Sequence, residues 1–310
     1  MTALALLAGV LLAAPSAARE RDPKTLSSYA FDASRPAVDR VEKIPDWLLK
    51  NWREADSNPG YEAYLPSKKE RAEFAAALDG LPPRLKETLN ERLIAFYFVK
   101  NLQGNGITDW VLDDSSRTYC TMILNPAAFN MSVSELLTAR ERSAFRGAAD
   151  IAVEAGGDNG ILYIVMHEST HAFDYVRRLT PATEGGHAKA LGLPVPDGWD
   201  VWRSYGVPRP EDDFPARERL TFYGFGGPKL DAAEAPAACA QLARSPFASL
   251  YGSRSWAEDA AELFVARHLT CDLGRPYRVR CGGKVREPMA DPRVSERAER
   301  ILAPLYAAEP

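Results

Sequence analysis

The chain has 310 residues, of which 46% are hydrophobic and 26% charged, a composition typical of globular proteins. This composition excludes disordered, collagen-like and low-complexity classes, and the length allows one large domain or two small ones. Its 38 Lys and Arg residues against 42 Asp and Glu residues give a formal net charge of -4. Because no strongly basic surface is implied, we expect neither nucleic acid nor an anionic membrane as the main partner.

The chain begins with an apolar segment. Residues 1–18 read MTALALLAGVLLAAPSAA and are followed by charged residues from Arg19. The apolar run is short for a membrane span and ends in small residues, a pattern that predicts a signal peptide at 1–18. No Lys or Arg precedes the run, and a retained membrane anchor is the alternative. We expect an exported protein, periplasmic or extracellular, without a stable membrane anchor after cleavage.

The number of cysteines fits an exported protein. An even count in such a chain predicts two disulfides among Cys120, Cys239, Cys271 and Cys281. Cys271 and Cys281 are close in sequence and are expected to pair, which would leave Cys120 with Cys239. Sequence alone allows three pairings. No pair has CxxC spacing, which argues against a zinc ribbon.

The first part of the chain, residues 19–100, is predicted to be a helical N-terminal region. After a proline-containing lead-in, one helix is expected to begin at Asp46. The capping box Ser67-Lys68-Lys69-Glu70 predicts a second helix that ends near Asp79. Pro83 fits the first turn of a third helix, which is expected to extend to about Asn101.

The second part, residues 101–310, mixes a strand with further helices. Tyr119–Leu124 is predicted to be a strand, and a capping box at Ser132 is predicted to begin a helix that ends near Phe145. An apolar helix is expected at about 161–179, and residues 181–236 are rich in Gly and Pro and mostly irregular. Helices follow at 255–269 and near 293–305. The predicted fold class is α+β, mainly helical with a small sheet.

The apolar helix contains an HExxH motif, His167-Glu168-Ser169-Thr170-His171. Residues four apart share one face of a helix, so both imidazoles can bind one ion. Zinc suits two neutral imidazoles, takes one more protein ligand and keeps a position for water, whose proton Glu168 can accept. Since two of only 4 histidines lie in this motif, we predict one zinc ion per chain. The alternative is a core helix with incidentally spaced histidines.

The third ligand has to come from another element. The positions at which metzincins have a Gly and a third His are here Asp174 and Arg177, which excludes that class. Glu258 and Glu262 lie one turn apart on the predicted helix 255–269, beside apolar residues, where carboxylates are unfavourable unless paired or metal-bound. One of them is the predicted ligand, and the other is predicted to hold a ligating imidazole. A solvated helix face is the alternative.

Two blocks of the chain resemble the anthrax lethal-factor-like peptidases, a gluzincin family. These blocks are His167–His171 with Ala172 and Asp174, and Tyr251-Gly252 with Glu258 and Glu262. The resemblance implies a zincin-like metallopeptidase domain at 101–310, in which residues 181–245 are a loop insertion. It does not extend to residues 19–150.

Carried over by position, the resemblance assigns a role to each matched residue. It implies that His167, His171 and Glu258 bind zinc and that Glu168 is the general base. Tyr251 is implied as a hydrogen-bond donor to the oxyanion of the tetrahedral intermediate, although Tyr205 and Tyr223 in the long loop are rival donors. Glu262 and Asp174 are implied to be partners that hold the ligands.

A peptide substrate must also be oriented in the site. HExxH peptidases commonly pair the substrate backbone with an edge strand. Tyr119–Leu124 is the predicted edge strand, with Tyr119, Thr121 and Ile123 as the predicted substrate-binding residues; a central strand is the alternative. Of the remaining histidines, His187 is expected at the surface and His268 to be a structural helix residue.

These observations together predict an exported zinc-dependent endopeptidase that acts on a protein or peptide substrate. Two other functions stay open. One is a zinc-binding interaction module that has lost catalysis, and the other is a metal-dependent amidase that acts on cell-wall material.

Overall fold

A computed structural model describes residues 21–227 and 229–307. The predicted signal peptide at 1–18 lies outside the described residues. Within the described part, no helix is both long and apolar enough to cross a membrane.

The described residues form nine α-helices. These are α1 Asp46–Ala55, α2 Lys68–Asp79, α3 Pro83–Arg92, α4 Val133–Arg142, α5 Ile161–Arg177, α6 Gly185–Ala190, α7 Ala235–Leu242, α8 Trp256–Arg267 and α9 Pro292–Tyr306. Both predicted capping boxes are present at the starts of α2 and α4, where the serine hydroxyl accepts from the third helical residue. The helices expected at 46, 67, 132, 161, 255 and 293 are therefore confirmed, with ends that differ by a few residues.

The described residues also form twelve short strands. These are β1 Val41–Glu42, β2 Glu62–Tyr64, β3 Leu93–Lys100, β4 Gly106–Leu112, β5 Thr118–Leu124, β6 Phe145–Arg146, β7 Ile151–Glu154, β8 Trp202–Ser204, β9 Val207–Pro208, β10 Leu230–Asp231, β11 Arg278–Cys281 and β12 Lys284–Arg286. The largest sheet has five strands in the order β1-β3-β5-β4, and β2 also pairs with β3. Since β3 and β5 are parallel while β4 and β5 are antiparallel, the sheet is mixed. The α+β class is confirmed.

The prediction of one helix from Pro83 to about Asn101 is wrong after Arg92. Residues Leu93–Val99 are buried on both sides of β3, as expected for a continuous apolar run in an inner strand. One side of the run, with Phe96 and Phe98, joins the larger apolar core, and the other, with Tyr97 and Val99, joins a smaller core beside α1. Because β1, β2 and β3 come from residues 19–100, a domain boundary at 100 would divide this sheet.

The predicted disulfides are also wrong. Cys239 and Cys281 form a disulfide that joins α7 to β11, whereas Cys120 and Cys271 are free thiols. Cys120 lies inside the main sheet on β5, where no other cysteine reaches it. Sequence proximity favoured Cys271 with Cys281, but the chain folds Cys281 against α7 instead.

Residues 181–236 are mostly irregular, as predicted, with α6 and the short strands β8, β9 and β10 among their few regular elements. The helix α7 completes the segment 181–245. The segment is attached to the rest of the protein by buried charges: Arg297 on α9 donates to Asp200 and to Asp259 on α8. The indole of Trp202 donates to the same Asp259 carboxylate at 2.9 Å. These bonds attach the segment to α8 and α9.

Candidate metal centre

The helix α5 carries the HExxH residues at the centre of the molecule. It packs against β4 and β5 on one side and against α8 on another. This position accounts for its apolar composition, since Tyr163–Thr170 are all buried. The helix ends at Arg178, whose backbone is left-handed with φ 59°. His167, Glu168 and His171 line a cleft of about 260 Å³.

The helix α8 brings two glutamates to the HExxH residues. Its N-cap is Ser255, whose hydroxyl accepts from the backbone N–H of Glu258. Glu258 and Glu262 then lie one turn apart, on the side of α8 that faces α5. The structure therefore supports the predicted position of both residues and excludes the solvated face, since Glu262 is 0% exposed.

Three side chains converge at one point of the cleft. His167 Nε2 lies 3.1 Å from His171 Nε2 and 3.1 Å from Glu258 Oε2, and His171 Nε2 lies 3.6 Å from Glu258 Oε2. Tetrahedral zinc with bonds of about 2.1 Å places its ligand atoms about 3.4 Å apart. The spacing of these three atoms thus matches that of ligands to one metal ion.

One polar atom of this cluster also lacks a hydrogen-bond partner. Glu258 Oε2, one of the three converging atoms, is buried and makes no well-formed hydrogen bond with the described residues. Buried polar groups normally have partners, and a pair of facing imidazole nitrogens beside a carboxylate attracts a cation. The cluster therefore fits a bound metal ion.

Glu262 holds the first histidine of the motif. Its Oε1 lies 3.1 Å from His167 Nδ1 and accepts from Arg140 at 2.6 Å and from Tyr163 at 3.0 Å. Its Oε2 accepts from Ser249 at 2.8 Å. Both oxygens of this buried carboxylate thus have hydrogen-bond partners, and the His167 ring is fixed with Nε2 towards the cleft.

The electrostatics of this network favour ionised carboxylates. Burial raises the pKa of Glu262, but the Arg140 guanidinium and His167 outweigh burial and lower that pKa to about 2. Burial alone would lower the pKa of His167, but Glu258 and Glu262 raise it to about 10. The two carboxylates thus favour positive charge at the His167 ring.

Arg140 is a site residue that sequence reasoning missed. It is fully buried on α4, where it contacts Glu262 and also forms an ion pair with Glu141 at 2.8 Å. Its guanidinium lies 5.0 Å from the ring centre of Tyr251. An arginine in the last turn of an amphipathic helix gives no sequence signal for burial, because the same position suits a solvated charge.

Asp174 does not hold a ligand in this structure. Its carboxylate accepts from the backbone N–H and the hydroxyl of Thr180, at 2.5 and 2.7 Å, and stabilises the turn that follows α5. It makes no hydrogen bond to His171 among the described residues. Asp174 thus bonds to Thr180 and not to His171, which differs from the predicted contact, whereas Glu262 makes the predicted contact with a histidine of the motif.

Glu168 points towards β4, which supplies two further residues that sequence reasoning missed. Its Oε2 accepts from the Thr108 hydroxyl at 2.7 Å. A Cβ on Gly106 would lie 2.7 Å from Oε1 of Glu168, so only glycine leaves room for this carboxylate. A glycine at the start of a strand was the signal that could have indicated the close approach.

The predicted edge strand is wrong. Tyr119, Thr121 and Ile123 are buried on β5, which lies between β3 and β4, and none of them lines the cleft. The outer strand on this side is β4, whose residues Gly106–Thr108 line the cleft. Among the described residues, its outer side meets only an isolated bridge at its far end, between Thr25 and Leu112.

Four tyrosines line the cleft, and three of them, Tyr205, Tyr223 and Tyr251, lie in or after the 181–245 segment. Tyr251 donates to Glu258 Oε1 at 3.2 Å, and burial raises its pKa so that it stays a donor. The Tyr223 hydroxyl accepts from Asn105 at 2.9 Å, and its backbone is left-handed with φ 55°. Tyr205 lies further along the same wall. Residues of the 181–245 segment thus form part of the cleft.

The two other histidines are both buried. His187 on α6 bonds to the Thr118 hydroxyl at 2.9 Å and contacts Trp110 and Tyr175, so its predicted surface position is wrong. His268 follows α8 and bonds to Asp272 at 2.7 Å and to the Gly80 carbonyl, which confirms its structural role.

Comparison with known proteins adds no assignment to this geometry. No protein-family model, curated protein or solved structure matches the chain.

Proposed function

We propose that this protein is an exported zinc-dependent endopeptidase of the gluzincin type. The observation that carries the proposal is the convergence of His167, His171 and Glu258 within metal-binding distance, with Glu168 beside them in an open cleft. Two histidines and one carboxylate are a ligand set that catalytic zinc sites use. The resemblance to the lethal-factor-like peptidases supports the same ligand set.

The residues around the proposed metal position then have chemical tasks. Zinc bound by this set would supply a Lewis acid and lower the pKa of a water molecule to about 7. Glu168, held by Thr108, accepts the proton of the attacking water and passes it to the leaving amine. Glu262 and Arg140 keep His167 in the orientation that ligation requires.

The oxyanion of the tetrahedral intermediate needs a hydrogen-bond donor. Tyr251 is next to Glu258 and stays protonated, so it suits this task. The substrate backbone would pair with the outer side of β4 near Gly106, because that side carries unpaired backbone groups next to Glu168. This arrangement binds a peptide without selecting its side chains.

Export rests on two observations of different kinds. The segment 1–18 has the pattern of a signal peptide. The disulfide between Cys239 and Cys281 is typical of oxidising compartments.

The test is metal content and cleavage of denatured casein by the mature protein and two variants. The wild type should contain one zinc and cleave casein in a chelator-sensitive manner. Glu168→Gln should keep zinc but lose turnover by about three orders of magnitude or more, since it removes the base and leaves the ligands. Glu258→Ala should lose zinc as well.

Other outcomes would contradict the proposal. Normal activity of Glu168→Gln would exclude the mechanism, and absence of zinc from the wild type would exclude the metal centre. Zinc without cleavage of casein or of any peptide would favour the interaction module, and digestion of cell-wall material without cleavage of casein would favour the amidase.

A further inference from the structure

One carboxylate of the cleft has no task in the proposed reaction. Glu184 lines the same cavity as the metal cluster, beside Ile107 and Tyr175. No Lys or Arg lines this cavity among the described residues. The carboxylates of Glu168 and Glu258 face the metal position, and the two positive charges of a divalent ion there would balance their two negative charges. The negative charge of Glu184 would then have no balancing positive charge in the cavity.

The position of Glu184 is built by its neighbours. The indole N–H of Trp110 on β4 donates to Oε1 of Glu184 and holds the carboxylate against the sheet. Glu184 is also the N-cap residue of α6, but its side chain caps no helical N–H. The carboxylate is therefore directed to the cleft instead of serving the helix.

A cation beside Trp110 already has an anionic partner. Lys24 lies over the Trp110 ring and forms an ion pair with Asp109, and it makes none with Glu184 within the described part of the chain. The three charges Lys24, Asp109 and Glu184 therefore sum to one net negative charge at this end of the cleft. Half-buried carboxylates without a cation are unfavourable unless a ligand supplies one.

A second polar side chain lines this end of the cleft. Tyr175 is only 6% exposed, and its phenol is a hydrogen-bonding group in the wall of the cavity. Burial is the main cause that raises the pKa of this phenol, and the charge of Glu184 is the next, so the hydroxyl keeps its proton as a hydrogen-bond donor. The aromatic ring of Tyr205 lines the same cavity.

A carboxylate, a phenol and aromatic rings at one end of a cleft are the groups that recognise a cation. We infer that Glu184 and Tyr175 form a subsite for a cationic group of the substrate, an ammonium or a guanidinium. The inference rests on the proposed function, because it assigns the specificity of the same cleft. The cation is either a basic side chain near the scissile bond or the free α-amino group of the peptide.

The probes are alanine-based nonapeptides with one Lys, or one norleucine of similar size, at each position in turn. Each is made with a free and an acetylated N-terminus. Binding is measured by fluorescence anisotropy on zinc-loaded Glu168→Gln, and kcat/KM is measured on the wild type. We expect one Lys position, or the free N-terminus, to be preferred about tenfold over its neutral counterpart, as for a charge-assisted hydrogen bond.

The variant Glu184→Gln keeps the acceptor for Trp110 and removes only the charge. It should reduce that preference to less than twofold in both measurements, and Glu184→Lys should reverse it in favour of a glutamate-containing peptide. Because each ratio is taken within one variant, a general loss of activity cancels. Glu211→Gln, an exposed residue outside the cleft, is the matched control and should keep the wild-type ratio.

Two results would overturn the inference. One is that the wild-type protein does not prefer a cationic peptide over its neutral counterpart, and the other is that Glu184→Gln shows the same preference as the wild type. A preference that depends on the Lys position identifies a basic side chain, and one abolished by acetylation identifies the α-amino group. Charge-dependent binding without any cleavage would support the subsite and contradict the peptidase, so the two failures are distinguishable.

Discussion

Gly106 sets the position of the general base. The carboxylate of Glu168 occupies the space that a side chain at residue 106 would take, and Thr108 bonds to its other oxygen. Both β4 residues come from a strand 60 residues away in sequence from Glu168. The strand β4 therefore orients the carboxylate of Glu168, and the same strand is proposed to bind the substrate backbone.

A Gly106→Ala substitution should separate metal binding from catalysis. Its Cβ would lie 2.7 Å from Glu168 Oε1, and the carboxylate must turn away. We expect zinc content to stay at the wild-type level and kcat to fall by about 100-fold, since a displacement of about 1 Å at a reacting group has that effect. Gly157→Ala, where no atom lies within 4 Å of the added Cβ, is the control. Unchanged kcat in Gly106→Ala would show that Glu168 is not held in this orientation.

Arg140 is buried between two acids. Removing it deprives the buried carboxylates of Glu262 and Glu141 of the guanidinium to which each now bonds. Arg140→Met should lower the free energy of unfolding by about 3–5 kcal/mol, measured by urea denaturation. Arg146→Met, which breaks an exposed pair with Asp231, should change it by less than about 1 kcal/mol. Similar losses in the two variants would contradict the role of the buried network.

The short helix α6 is fixed to the sheet by one neutral histidine. His187 accepts or donates at Thr118 on β5 and packs between Trp110 and Tyr175. The same helix begins at Glu184, so its docking also positions the acidic end of the cleft. The stability of this helix should therefore depend on the protonation of His187.

This dependence has a defined sign. Burial lowers the pKa of His187 from 6.5 to about 4, so between these values the unfolded chain binds a proton that the folded protein does not. The free energy of unfolding should fall as pH decreases from 6.5 towards 4. His187→Gln should show a smaller loss between pH 7 and pH 5, measured by urea denaturation at each pH. An equal loss in both proteins would mean that His187 does not titrate as described.

One disulfide, Cys239–Cys281, joins α7 to β11. Cys239 and Cys281 enclose a loop with a sequence separation of 42, which contains Tyr251 and the whole of α8. Cross-linking such a loop stabilises the folded state by about 2–4 kcal/mol. The elements that carry Glu258 and Glu262 are thus held within a covalent ring.

Thiol labelling tests this pairing directly. Cys271 is exposed and should react with iodoacetamide in the native protein, whereas burial raises the pKa of Cys120 and shields it. Mass spectrometry should find one label natively, two after unfolding without reductant, and four after reduction. No label after unfolding without reductant would show that Cys120 and Cys271 are paired as well, or exchanged with the other two.

The part of the site that sequence could predict is the part that one helix determines. His167, Glu168 and His171 follow from spacing within a single helix, because helical geometry places residues four apart on one face. The capping boxes at Ser67 and Ser132 and the helices that they begin are equally local. Glu258 and Glu262 were predicted as a pair for the same reason, since both lie on one helix.

Tertiary structure alone decided how these local pieces meet. Glu262 bonds to His167 across 95 residues, and Arg140 reaches Glu262 across 122. Neither contact has a local periodicity that could reveal it. The strand β3 was predicted as helix because its apolar run is compatible with both, and burial on two sides decided the outcome. The edge strand, the disulfide and the position of Glu184 depend in the same way on strand order and packing, which sequence neighbours do not determine.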